Sequence, residues 1–172
     1  MPYSYDDDKQ TAKQWIEAIA PKTVVDVGPG AGTYSDLARA NGQHWTAIEA
    51  WAVYIEQFKL RDKYDHIIVA DANYVDPKYF KADLVIIGDC LEHMLADEAI
   101  ELIAKIKKHA KNLIISIPLG HFHQDAYQGN YFEEHKATWE HEQMMECLGD
   151  VKASVKGERL GYYWWKIGRA HV

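Results

Sequence analysis

The chain has 172 residues, 48% hydrophobic and 26% charged, the balance of a folded soluble domain with one core rather than of a disordered chain. Its formal charge of -7 gives no basic footprint and argues against nucleic acid as the main partner. Two cysteines, Cys90 and Cys147, make no disulfide framework and suit a reducing cytoplasm, residues 1–9 are too polar for a signal peptide, and no apolar run approaches the ~20 residues that a membrane span needs.

Apolar runs then alternate with amphipathic ones, the pattern of a parallel sheet covered by helices. The spacing predicts an opening helix over 8–19, with Ala12, Trp15, Ile16 and Ile19 on one face and Pro21 as its stop. A strand follows at 23–27, then a helix over 33–41 closed by Gly42. The next pair is a strand at 44–48 running into Glu49 and a helix over 52–60. A third strand at 66–70 ends at Asp71, a helical turn is expected at 77–80, and a fourth strand at 83–87 ends at Gly88 and Asp89. The longest helical pattern, 97–110, takes Asp97 as its N-cap and Ile100, Ile103, Ala104 and Ile106 as its core stripe, with Lys105, Lys107 and Lys108 at the negative end of the helix dipole. A fifth strand at 112–117 opens into a loop rich in His and aromatic residues, which precedes a helix over 138–147. Strands at 151–156 and 162–166 pair as an antiparallel hairpin. The whole chain reads as one domain. Residues 167–172, IGRAHV, read as one frame of sequencing-adapter DNA from an environmental read, so Arg169 and His171 receive no role.

The stretch VVDVGPGAGTYS at 24–35 carries the most chemistry. A strand that turns through glycines into a helix brings backbone N–H groups and a helix N-terminus up to a ligand, with no β-carbon in the way. A dinucleotide fingerprint, G-x-G-x-x-G, would set its third glycine at position 33, where this chain has Thr33; what stands here is D-x-G-x-G-x-G, from Asp26 through Gly28, Gly30 and Gly32. That pattern resembles motif I of the class I S-adenosylmethionine (SAM) dependent methyltransferases. Five strands with helical crossovers and a terminal hairpin extend the resemblance over essentially the whole chain. It implies a three-layer α/β/α, doubly wound seven-stranded sheet of order 3-2-1-4-5-7-6, with the last strand antiparallel. It further implies SAM as cofactor, S-adenosylhomocysteine as product, and methyl transfer; for the acceptor, a small polar molecule methylated at oxygen or nitrogen is expected.

Acidic residues stand at the carboxyl ends of the first four predicted strands: Asp26, Glu49, Asp71 and Asp89. At the rim of an open α/β sheet such residues face the ligand crevice. Glu49, with Ala50, is placed to accept from both ribose hydroxyls, and Asp71, with Ala72, from the adenine amine. The resemblance gives the methionine end to Asp26, the glycine loop and Thr33, and the wall of the methyl-transfer site to Asp89, Cys90 and Leu91. Trp51 and Tyr54 are expected to flank the adenosine.

For catalysis the candidates are His93, in a Leu-Glu-His turn that resembles one found in small-molecule methyltransferases, and His121 and His123 in the loop after the fifth strand. Residues 118–137 are expected to form a lid, with Tyr127, Tyr131, Phe132 and His135 against the acceptor. His121, His123, His135 and Asp125 also offer metal-ligand chemistry, but the Asp…Asp-Asn pattern of metal-dependent O-methyltransferases is missing and no metal is expected. Neither the amine-cradling N/D-P-P-Y segment nor a Pro-Cys nucleophile stands after the fourth strand, where the chain reads GDCLEH. With so little chain available as a cap, a second copy is expected to complete the pocket. Two other readings stand beside this one: a non-catalytic SAM-binding or nucleoside-binding subunit, and another enzyme on a related fold, either an aminopropyltransferase or an NAD-dependent oxidoreductase.

Overall fold

The computed structural model describes residue 2 and residues 5–168, so Arg169 and His171 lie outside the described residues. Within these, one sheet is built from β1 (Thr23–Val27), β2 (His44–Glu49), β3 (His66–Val69), β4 (Leu84–Gly88), β5 (Asn112–Pro118), β6 (Ala153–Lys156) and β7 (Leu160–Lys166). Its order is β3-β2-β1-β4-β5-β7-β6, with β1 to β5 parallel and β7 antiparallel to both β5 and β6. The predicted doubly wound sheet is therefore present in full. Strand order reverses between β1 and β4, and this switch opens the crevice where such sheets bind ligands.

The central strands are apolar at successive positions because both sheet faces are covered. Val25, Val85, Ile87, Leu113 and Ile115 turn to one face, beneath α5 (Ala96–Lys107) and α6 (His141–Leu148). Val24, Leu84, Ile86 and Ile114 turn to the other, where Ala12 and Ile16 of α1 (Lys9–Ile19), Tyr34 of α2 (Thr33–Ala38), Ile55 of α3 (Val53–Gln57) and Leu60 of α4 (Leu60–Lys63) cover them.

Several predicted boundaries shift for local reasons. The helix expected over 52–60 is two short helices, α3 and α4, because Lys59 adopts φ 51° and breaks the hydrogen-bond ladder. This bend carries Leu60 and Tyr64 into the core. Asp97 is not the cap of α5: the Glu98 carboxylate accepts the Leu95 N–H at 3.1 Å, so Leu95 takes the cap position and the helix begins at Ala96, ahead of the expected start. Its buried stripe is Ala99, Leu102, Ile103 and Ile106, whereas Ile100 is 46% exposed and Ala104 faces outward. The helix over 138–147 begins only at His141, where Gln143 Oε1 accepts the Glu140 N–H at 2.8 Å. Among the described residues no helix is long and apolar enough to cross a membrane.

Candidate active site

A cleft of about 180 Å³ opens over the carboxyl ends of β1, β2, β3 and β4. Its floor is the β1–α2 turn. Gly28 stands at φ +64°, and a β-carbon there would lie 2.5 Å from Cys90 Sγ, so no other residue lets the turn meet the β4 end so closely. A β-carbon on Gly30 would meet the Pro2 carbonyl at 2.7 Å, and that carbonyl accepts the Ala31 N–H at 3.3 Å, which makes residue 2 one wall of the cleft. Gly32 does not line the cleft; it precedes α2, where a β-carbon would run into the Lys63 side chain. Its part is to let α4 close against the start of α2.

All four strand-end acids converge on the cleft: Asp26, Glu49, Asp71 and Asp89, accompanied by Ala50, Ala72, Thr33 and Cys90. Asp26 is buried in β1 with the Tyr64 hydroxyl donating to it at 2.6 Å, and burial pushes its carboxyl up to about 7. Burial also pushes Glu49 to about 7, against the backbone N–H groups of Trp51 (2.8 Å) and Gly30, which favour the anion. Asp71 accepts the Asn73 N–H at 2.9 Å through Oδ1 and thereby caps the single 3-10 turn Ala72–Tyr74. Asp89 sits at φ 47°, a conformation that costs a non-glycine residue about 1–3 kcal/mol and concentrates at functional sites. It is held there by Ser116, whose hydroxyl donates to Asp89 Oδ1 at 3.1 Å while receiving the Tyr34 hydroxyl at 2.7 Å. Burial raises the Cys90 thiol well above its ordinary value, which keeps it protonated and no nucleophile.

The remaining predicted residues divide. His93 lines the cleft, and burial pulls its imidazole down to about 4, so it is neutral at physiological pH. Phe132 lines the rim from the 3-10 turn Tyr131–Glu133. Leu91 lies outside the cleft because it is fully buried in the core, at the start of the turn Leu91–His93. Trp51 reaches the site only through its backbone N–H; its ring meets the edge of Tyr131, which is 67% exposed and also outside the cleft. Tyr127 is spent on a backbone bridge to Asn130. His121 and His123 are not brought to the cleft: both are exposed, His121 near Thr138 Oγ1 (3.3 Å) and His123 paired with Asp125 (3.2 Å). His135 stands behind His93, with ring centroids 4.9 Å apart.

Sequence reasoning missed Asn130, Glu133, Lys136, Met94 and Glu98, all of which line the cleft. Glu133 is buried and accepts the Tyr54 hydroxyl at 3.0 Å, a contact across 79 positions that no local spacing reveals. Lys136 is fixed by its N–H bond to the Glu92 carbonyl at 2.8 Å.

The sheet order, the glycine turn and the acids at the strand ends define the class I methyltransferase architecture. A family model described as a methyltransferase domain matches residues 2–147, and the chain belongs to that family, whose cofactor is SAM. No curated protein is similar enough in sequence to match. Among solved structures, a SAM-dependent methyltransferase from Clostridium acetobutylicum is 13% identical, with 97% of this chain and 93% of that one covered at a TM-score of 0.72. The N-terminal domain of EvdMO1, crystallised in the presence of S-adenosylhomocysteine and D-fucose, is 12% identical over 96% and 85% of the two chains, with a TM-score of 0.69. A Rhodobacter sphaeroides protein provisionally assigned as a zinc-dependent alcohol dehydrogenase is 11% identical over 98% and 92%, with a TM-score of 0.76. At such identities these likenesses show the fold alone.

Proposed function

We propose that the protein transfers a methyl group from SAM to an oxygen or nitrogen of a small polar acceptor. The observation that carries this reading is the convergence of Asp26, Glu49, Asp71 and Asp89 on one cleft over a turn that only glycine can build. That donor set fits the cofactor: acceptor oxygens for a ribose diol and an adenine amine on one side, backbone N–H groups of the glycine turn for a carboxylate on the other. When bound, the cofactor supplies a methyl group already activated on a sulfonium, so the protein's work is to align the acceptor and exclude water.

Glu49 would grip the ribose, Asp71 the adenine amine, and Asp26 with the Gly28–Gly30 turn the amino-acid end. His93 faces the cleft beside Met94 and Lys136. Its Nδ1 lies 3.2 Å from the Glu134 carbonyl, which assigns the proton to Nδ1 and leaves Nε2 unprotonated, 3.7 Å from Glu92 Oε1. Incubation with SAM carrying a labelled methyl group and a panel of small hydroxyl and amine acceptors tests the reading. Label transferred to an acceptor supports it; SAM binding without transfer to any acceptor class favours the non-catalytic subunit.

A pH dependence follows from Glu49. In the ligand-free fold its carboxyl keeps its proton up to about pH 7, whereas the unfolded chain gives it up near 4.5. This group therefore lowers the stability of the free protein as pH rises from 4.5 to 7. The cofactor is held by the ionised form, so its affinity rises over the same window, by up to about tenfold per pH unit. Thermal melts with and without SAM should diverge between about pH 5.5 and 7.5 by a gap that Glu49→Gln reduces, with Asp26, also pushed up to about 7, supplying the remainder; a SAM-induced shift that is constant with pH contradicts the assignment.

A further inference from the structure

We propose that Glu92, His93 and His135 form a site for a divalent transition-metal ion on the acceptor side of the cleft. Each offers one ligand atom, and these atoms lie within 4.8 Å of one another. Glu92 is 3% exposed, its Oε1 is 3.7 Å from His93 Nε2, and its Oε2 is buried with no hydrogen-bond partner. A buried carboxylate oxygen left unsatisfied costs free energy that a bound cation would remove.

Both imidazoles are oriented as metal ligands usually are. His93 turns Nδ1 to the Glu134 carbonyl at 3.2 Å, and His135 turns Nδ1 to the Phe122 carbonyl at 2.6 Å. A ring N–H committed to a carbonyl fixes the tautomer and leaves the Nε2 lone pair for a metal. The backbone keeps the set together, since the Glu92 carbonyl accepts the N–H groups of Lys136 at 2.8 Å and Ala137 at 3.1 Å, the two residues that follow His135. Two imidazoles and one carboxylate suit zinc, manganese or iron rather than calcium, and leave coordination positions open. Ligand atoms around tetrahedral zinc stand about 3.4 Å apart, so the three side chains would draw together slightly around an ion. Of the three residues His93 lines the cleft, so an ion held there would lie at the edge of the acceptor space. Resting on the methyltransferase reading, this points to an acceptor that presents an oxygen ligand, such as a hydroxyl or carboxylate.

The test uses tag-free protein stripped with chelator and titrated with zinc chloride alone, with cobalt absorption as a second readout. One ion per chain is expected, with a tetrahedral cobalt spectrum, and at least about tenfold weaker binding in His135→Gln and in Glu92→Gln. His121→Ala and His123→Ala, which remove the exposed loop histidines, should leave the affinity unchanged. Absence of stoichiometric binding, equal affinity in His135→Gln, or loss only in the loop-histidine variants overturns the site. A parallel titration of the stripped protein with S-adenosylhomocysteine separates failure of this site from failure of the cofactor assignment, because Glu49 and Asp71 take no part in it.

Discussion

Replacing Glu49 with Ala should weaken binding of SAM and S-adenosylhomocysteine by about 100-fold while leaving the fold intact. Hydrogen bonds to a charged acceptor contribute about 1.5–3 kcal/mol each, and a ribose diol offers two donors, so removing both acceptor oxygens costs roughly 3 kcal/mol. The fold should tolerate the change because Glu49 ends β2 at the rim of the cleft and its anion is opposed by burial. Glu49→Gln retains one acceptor oxygen and should fall between wild type and Ala. Calorimetric titration of the three proteins checks the order; equal affinity across them shows that the ribose lies elsewhere.

Gly28→Ala should affect both stability and binding. Its φ of +64° is costly for any residue with a β-carbon, by about 1–2 kcal/mol. In addition, the new carbon would meet Cys90 Sγ at 2.5 Å and Cys90 Cβ at 3.2 Å, so either the turn or the β4 end must move. Overpacking of this kind adds about 1–3 kcal/mol, and a chain of this size loses roughly 2–4 °C of Tm per kcal/mol. A fall of about 6–15 °C in Tm is expected, with cofactor affinity reduced at least about tenfold because the displaced turn carries the N–H groups. Gly42→Ala is the control: φ is +81° but a β-carbon there meets nothing within 4 Å, so it should cost stability alone. If both variants lose the same stability and neither loses affinity, the turn does not serve a ligand. Adding Cys90→Ala to Gly28→Ala should recover part of the lost stability by removing the sulfur.

The sheet was legible because its signal is local and repeated. Continuous apolar strands bounded by Pro, Gly and acids can be read from a sequence, and β1 to β5 and the terminal hairpin lie where the periodicity puts them. The acids at the strand ends were legible for the same reason, since a strand's last residue and the sheet's rim are one place. Helix faces were less so. Ile100 is as apolar as Ile103, and only packing against the sheet decides that Ala99 and Leu102 are buried while Ile100 is exposed. The loop over 119–140 could not be read, because its course depends on long-range bonds such as Lys136 N–H to Glu92 and Tyr54 to Glu133. Spacing made His121 and His123 attractive as a pair, yet the backbone sends both to solvent and brings in His135, which stood among several His in the sequence.

An adenosyl group is expected across the sheet rim with its sugar on Glu49. A crystal structure of the complex with S-adenosylhomocysteine decides this. Ribose hydroxyls are expected within hydrogen-bond distance of the Glu49 carboxylate, the adenine amine beside Asp71, and the homocysteine end against the Gly28–Gly30 turn. Ligand density outside this cleft, or a cleft left empty at saturating ligand, would contradict it.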